Sequence, residues 1–189
     1  MAWLSYGIRR NLKLKFCIQA GFPDNSRSCD INDSKLSEAI ESAFPMNTES
    51  LIMFWDHIAI PLSYKYDISY MIDDIIMLLQ HIQMEETGEI IIPWLPDTFR
   101  VDWKVRWNID TISIRSNWVN TVGDLQEILI DHEKIKLIKK DFINEWKKPL
   151  EIIIRALDDC GYSKIIKNQY NILLDTFISI QDYGMLYQN

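Results

Sequence analysis

The residue types in this chain that could do chemistry are three histidines, three cysteines and an uneven spread of carboxylates. His57 follows Asp56, and His132 lies between Asp131 and Glu133. Sequence neighbours face opposite ways on a strand and about 100° apart on a helix, so adjacency does not assemble an acid–base pair. His81 and Glu85 stand at i, i+4, a spacing that permits two ligands to one metal. No two His or Cys share a recognised ligand spacing, so a solvated pair is expected there. Cys17, Cys29 and Cys160 are odd in number and far apart, which fits neither a disulfide framework nor a metal or redox pair. They read as buried free thiols. No glycine-rich phosphate loop, zinc-protease motif or nucleophile elbow is present. The expectation is no catalytic residue, no metal and no cofactor.

The carboxylates carry the stronger signal. Residues 24–96 hold 13 Asp or Glu against Arg27, Lys35 and Lys65, and residues 66–99 hold no Lys or Arg at all. Asp67, Asp73, Asp74, Glu85, Glu86 and Glu89 lie in that second span. On a helix beginning at Asp67, the spacing places Asp67, Asp74, His81 and Glu85 along one exposed strip. A solvated helix face beside an acidic turn would produce this pattern. Read as function, it is an anionic docking surface for a basic partner, which would speed association and select partners. Trp94, between Pro93 and Pro96, has no place in an apolar stripe. It reads as a partner anchor on a rigid loop, or else as a side chain buried under a sheet edge. Basic residues gather elsewhere: Arg100, Lys104, Arg106 and Arg115 on one polar strand face, and a lysine-rich stretch from Lys134 to Lys148.

The elements that must position these residues follow from periodicity. Leu12, Leu14, Phe16 and Ile18 alternate as a strand, and 21–32 reads as a loop. Leu36, Ala39, Ile40, Ala43 and Phe44 form a helical stripe capped by Asp33 or Ser34 and ended by Pro45. Leu51 to Trp55 is an apolar strand. Ile60, Leu62, Tyr64 and Tyr66 alternate as another, with Pro61 marking an edge or a strand start. A helix capped by Asp67 carries Ile68, Met71, Ile72, Ile75, Ile76, Leu79 and Ile82 inward. Ile90–Ile92 is a short strand stopped by Pro93. Phe99–Trp107 and Thr111–Trp118 form a hairpin with one aromatic face. Residues 119–133 are open between helix and strand. Lys134–Ile138 alternates, and a helix capped by Asp141 follows, kinked or divided at Pro149 and stopped at Gly161. A last helix carries Ile166, Tyr170, Leu173, Leu174 and Phe177, with a loose tail after Gln181. Strands and helices mix without strict alternation. The predicted fold is therefore a single α+β domain over 1–189: a mostly antiparallel sheet with helices packed on its faces.

Composition narrows the function classes. The chain has 189 residues and a formal net charge of −7. Its fractions are those of a globular domain, long enough to bury a real core. Direct nucleic-acid binding is disfavoured because phosphate backbones recruit clustered cations. No apolar run approaches the roughly 18–20 residues of a membrane span, and the N-terminal residues lack the order of a signal peptide. The expectation is a cytoplasmic protein, monomeric or weakly dimeric.

From about residue 99 to 162 the segments FRVDWKVRW, TISIRSNW, KIKLIKK and DFINEWKKPLEIIIRALDDCGY resemble bacterial contact-dependent growth inhibition and polymorphic-toxin immunity proteins. The strand pair ending in a tryptophan and the EWKK…L…L…GY helix carry the resemblance. It implies a protein that binds the toxic C-terminal domain of a cognate effector, often a nuclease, and blocks it stoichiometrically without catalysis. An acidic inhibitor suits a nuclease, whose cleft must be basic to hold phosphates. A small cytoplasmic enzyme with a site assembled from distant residues, or a regulatory subunit, is the alternative.

Overall fold

The computed structural model describes residues 15–21, 23, 28–46, 49–185. Leu12 and Leu14, of the first predicted strand, lie outside them, as do residues 186–189. Two antiparallel sheets organise the molecule. The first has the order β1 (Phe16–Ala20), β2 (Ser50–Trp55), β3 (Ile58–Ser63). The second is a meander of β4 (Gly88–Trp94), β5 (Phe99–Trp107), β6 (Thr111–Thr121) and β7 (Lys134–Ile138). The predicted α+β class is observed, with the strands divided between two sheets rather than gathered in one.

Pro61 lies on the edge strand β3, opposite Ile52. Tyr64 N–H donates to the Glu49 carbonyl, which fixes the hydrogen-bonded rungs at every second residue and turns the Pro61 nitrogen away from β2. The alternation through Tyr64 and Tyr66 does not continue as strand. The chain winds into a π-helical turn, Tyr64–Ile68, because the Asp67 carboxylate reaches back to accept from Ser63 N–H at 2.7 Å. Asp67 thus stabilises this turn rather than capping the following helix, α2, whose span is Ser69–Met84.

Helix α1 (Leu36–Ala43) precedes β2. Its first turn is closed not by Asp33 or Ser34 but by Glu38, whose carboxylate accepts from Ser34 and Lys35 N–H at 2.9 and 3.1 Å. After β6 the chain makes short helical turns, including α3 (Gln126–Leu129). Beyond β7 the predicted long helix is divided into α4 (Lys139–Glu145) and α5 (Lys147–Asp159). Pro149 has no N–H for the Glu145 carbonyl, and Trp146 N–H tightens onto Ile143 at the break. The cap position of α4 is Ile138, with Asp141 in the first turn. Gly161 takes φ 74° after α5, as a helix stop requires. A short α6 (Tyr162–Ile165) leads into α7, which extends from Lys167 to Met185, past Gln181.

One contiguous buried cluster runs through both sheets and the helices. At its centre Trp103 of β5 meets Trp55 of β2 and Trp94 of β4, each at 5.3 Å between ring centroids. Phe16, Phe99 and Trp118 pack around this group. Helix α2 lies against α1, α7 and β4, while α4 and α5 close over β1. Among the described residues no helix is long and apolar enough to cross a membrane.

Candidate functional site

The acidic span does not present itself as one strip. Asp67 is buried, 3 % exposed, with both carboxylate oxygens occupied: one by Ser63 N–H, the other by the Thr98 hydroxyl. Burial pushes its pKa up, and the two hydrogen bonds oppose that rise. Asp74 is half-buried, and desolvation, followed by the neighbouring Asp73 charge, raises its pKa. Asp73, His81, Glu85 and Glu86 are exposed. His81 Nδ1 lies 3.0 Å from Glu85. Glu89 is exposed but already neutralised, gripped by Arg106 and by Lys104 on the neighbouring strand, which holds its carboxyl below the usual range.

Trp94 is not on a loop. Strand β4 continues through Pro93, an edge position where a missing N–H is tolerated, and carries Trp94 into the core at 1 % exposure. It packs edge-on against Trp103 and is not available as an anchor. Asp67 and Trp94 are therefore removed from the predicted partner surface.

The row that α2 does present is different. Tyr66, Tyr70, Asp73, Met77, His81 and Met84 follow each other at helical spacing of three and four, on the side opposite the core stripe. Tyr70 is 67 % exposed and Met84 83 % exposed. Large apolar side chains on a charged, solvent-facing row are the composition of a protein-binding surface, where tyrosine and methionine are enriched. Glu85 and Glu86 extend it at the C-terminal end. No lysine or arginine occurs from 66 to 99 to neutralise it from within.

At its other end this row opens into a cleft of about 760 Å³. Tyr66, Tyr70 and Leu95 line it with Pro61, Asp97 and Arg100, and Asp67 and Thr98 lie in its wall. The π-helical turn is what brings Tyr66 and Asp67 to this place; such turns often occur at functional positions. Arg100 donates to Asp97 at 2.7 Å across the mouth. The cleft can receive an apolar side chain flanked by a charge of either sign. In its wall the Thr98 hydroxyl donates to one Asp67 oxygen, and Ser63 N–H donates to the other.

No family model, curated protein or solved structure matches the chain.

The remaining candidates for chemistry are dispersed. His57 sits in the β2–β3 hairpin, His81 on α2, and His132 in the turn before β7. His132 pairs with Asp56 at 2.7 Å, a contact between residues far apart in sequence and not between the neighbours that the sequence sets side by side. Trp55 Nε1–H donates to the His132 carbonyl at 2.7 Å, so this corner ties the first sheet to the second. The cysteines form no disulfide with one another and are not buried: Cys29 is exposed, while Cys17 and Cys160 are half-buried. Burial, and then Glu145, push the Cys17 thiol up to about 11, which suppresses its thiolate. Among the described residues no three His, Cys, Asp or Glu side chains gather to hold a metal ion.

Tyr66, Tyr70, Leu95 and Met84 were not singled out by sequence. One signal was available: Tyr70 and Met84 fall off the apolar stripe of the helix, and a large apolar residue away from that stripe must be exposed or docked.

Proposed function

We propose that this chain is an immunity protein, which binds a cognate toxin domain through the outer face of α2 and neutralises it stoichiometrically. The observation that carries the reading is the row from Tyr66 to Met84, where exposed aromatic and thioether side chains share a helix face with Asp73 and lead to Glu85 and Glu86. Apolar anchors supply affinity, and the carboxylates supply attraction and selectivity toward a basic partner. A nuclease domain, with a cation-lined cleft for phosphates, is the target class this charge suits. The resemblance of residues 99–162 to toxin immunity proteins supports the same reading. Those segments are β5, β6, β7, α4 and α5, and they do not include the α2 row. Catalysis and cofactors have no part in this function.

The test is protection and binding with the C-terminal domain of a secreted toxin encoded beside this gene. A one-to-one complex and growth rescue are expected. Reversing Asp73, Asp74, Glu85 and Glu86 to lysine should weaken binding by tenfold or more and steepen nothing in the unfolding curve, since these side chains are not in the core. Tyr70→Ala should weaken binding at high salt as well, where the charge contribution is screened. Full protection by both folded variants would overturn the assignment of this face.

A further inference from the structure

The solvent face of the second sheet carries the opposite charge to α2. The register sets Lys104 of β5 opposite Arg115 of β6, and Arg115 opposite Lys134 of β7, so three cations stand side by side across three strands. The next row holds Arg106, Ser113 and Lys136. Ser116 N–H donates to Glu133 and Lys139 N–H to Asp110, which makes Arg115–Lys134 and Ser113–Lys136 non-hydrogen-bonded pairs, the closer kind for side chains. Like charges directly opposite one another destabilise a sheet. A fold of net charge −7 could scatter these cations among its many carboxylates, yet it concentrates them here. Glu89 compensates Lys104 and Arg106, and Glu133 lies 3.9 Å from Arg115. Lys134 and Lys136 have no ion-pair partner among the described residues.

Arg106, Ser113, Lys134 and Lys136 border a hollow of about 300 Å³ at the hairpin end of the sheet, which Trp107, Asn108 and Thr111 also line. Three cations and the Ser113 hydroxyl facing one small hollow are a donor set that phosphate oxygens take: charge-assisted hydrogen bonds from Arg and Lys, and a neutral one from Ser, while the Thr111 hydroxyl donates to Asn108 Oδ1. Exposed aromatic side chains for stacking bases are lacking from that lining, since Trp107 is 6 % exposed and its Nε1–H donates to the Glu85 carbonyl. We infer that this hollow binds a phosphate-bearing anion, held between Lys134 and Lys136 of β7 and Arg106 of β5. The site uses no side chain of the α2 row and stands whether or not that face binds a toxin.

Two probes test it at low salt: inorganic pyrophosphate, and a short fluorescein-labelled single-stranded oligonucleotide. Calorimetry should show saturable pyrophosphate binding that weakens tenfold or more in Lys134→Gln/Lys136→Gln. Both positions are exposed, so the fold should survive the change. Without ligand the double variant should melt no lower than the parent, because it removes like-charge repulsion; a structural role for these lysines would lower the melting temperature instead. If the oligonucleotide binds more tightly than pyrophosphate and also needs Lys134 and Lys136, the phosphates are those of a nucleic-acid backbone; if pyrophosphate alone binds, they belong to a small free anion. Failure of both probes to bind saturably, or binding that the double variant leaves unchanged, overturns the inference.

Discussion

Asp56 and His57 close the β2–β3 hairpin with φ of 42° and 76°, the left-handed region that a two-residue turn of this kind demands and that Asp, Asn and His tolerate better than most. The position gives Asp56 a second task. Its carboxylate meets His132 in the turn before β7, and that hydrogen bond is the main reason its pKa is lowered, with desolvation opposing. A carboxyl whose folded pKa is depressed adds stability above its ordinary value near 4 and loses it as the pH falls through the folded value. Asp56→Asn keeps a side chain suited to the left-handed turn and removes only the charge. It should cost up to about 1 kcal/mol at pH 7, since the pair is partly exposed. As the pH falls through the folded pKa the parent carboxyl becomes protonated, and the two proteins should converge. Thermal melts of both across a falling pH series check this; a difference that does not shrink as the pH falls would place the effect in the turn rather than in the Asp56–His132 contact.

Individual elements show how much of the fold was legible in the sequence. Strands β5, β6 and β7 and the inner stripes of α1, α2 and α5 follow from periodicity alone, because each buries one face and the side-chain period fixes which. What periodicity does not contain is a side chain reaching back to its own backbone. The π-helical turn depends on Asp67 meeting Ser63 N–H, and it redirects Tyr66 from a strand to a cleft. Reading charge as exposure misplaced Asp67, and reading proline as a stop misplaced Trp94. The acidic half of the candidate site was visible from composition; its aromatic half needed the fold. The start of β4 shows a constraint of the same hidden kind. A Cβ on Gly88 would fall 2.2 Å from Cζ2 of Trp107, whose indole is fixed by its bond to Glu85. Gly88→Ala should therefore destabilise the protein by about 1–3 kcal/mol, through displacement of a ring that cannot swing away. The urea midpoint should fall with an unchanged slope. An unchanged midpoint would mean that Trp107 is free to move and that the edge strand is loosely seated.

At the scale of the molecule, the two sheets share no backbone ladder, yet their inner faces share one core. Trp55 belongs to the first sheet and contacts Trp103 and Trp118 of the second, both at 5.3 Å. The Trp55 indole also donates to a carbonyl in the turn that leads into β7. Neither sheet can open without stripping aromatic area from the other. Pairs of this kind contribute roughly 0.5–1.5 kcal/mol beyond the area they bury. Unfolding should therefore be one cooperative transition. Urea curves followed by far-ultraviolet circular dichroism and by tryptophan fluorescence should superimpose. Trp103→Phe, which thins the junction while keeping an aromatic ring, should lower both midpoints by the same amount. The alternative outcome has a definite meaning. A fluorescence transition that precedes the loss of secondary structure in the variant would show that the tryptophan junction is what makes the two sheets unfold together. The α2 face and the cleft, which draw on Tyr66 and Tyr70 after β3 and on Leu95 and Arg100 around the β4–β5 turn, would then be lost at that first step. Binding through that face would depend on the junction even though no residue of the junction touches a partner.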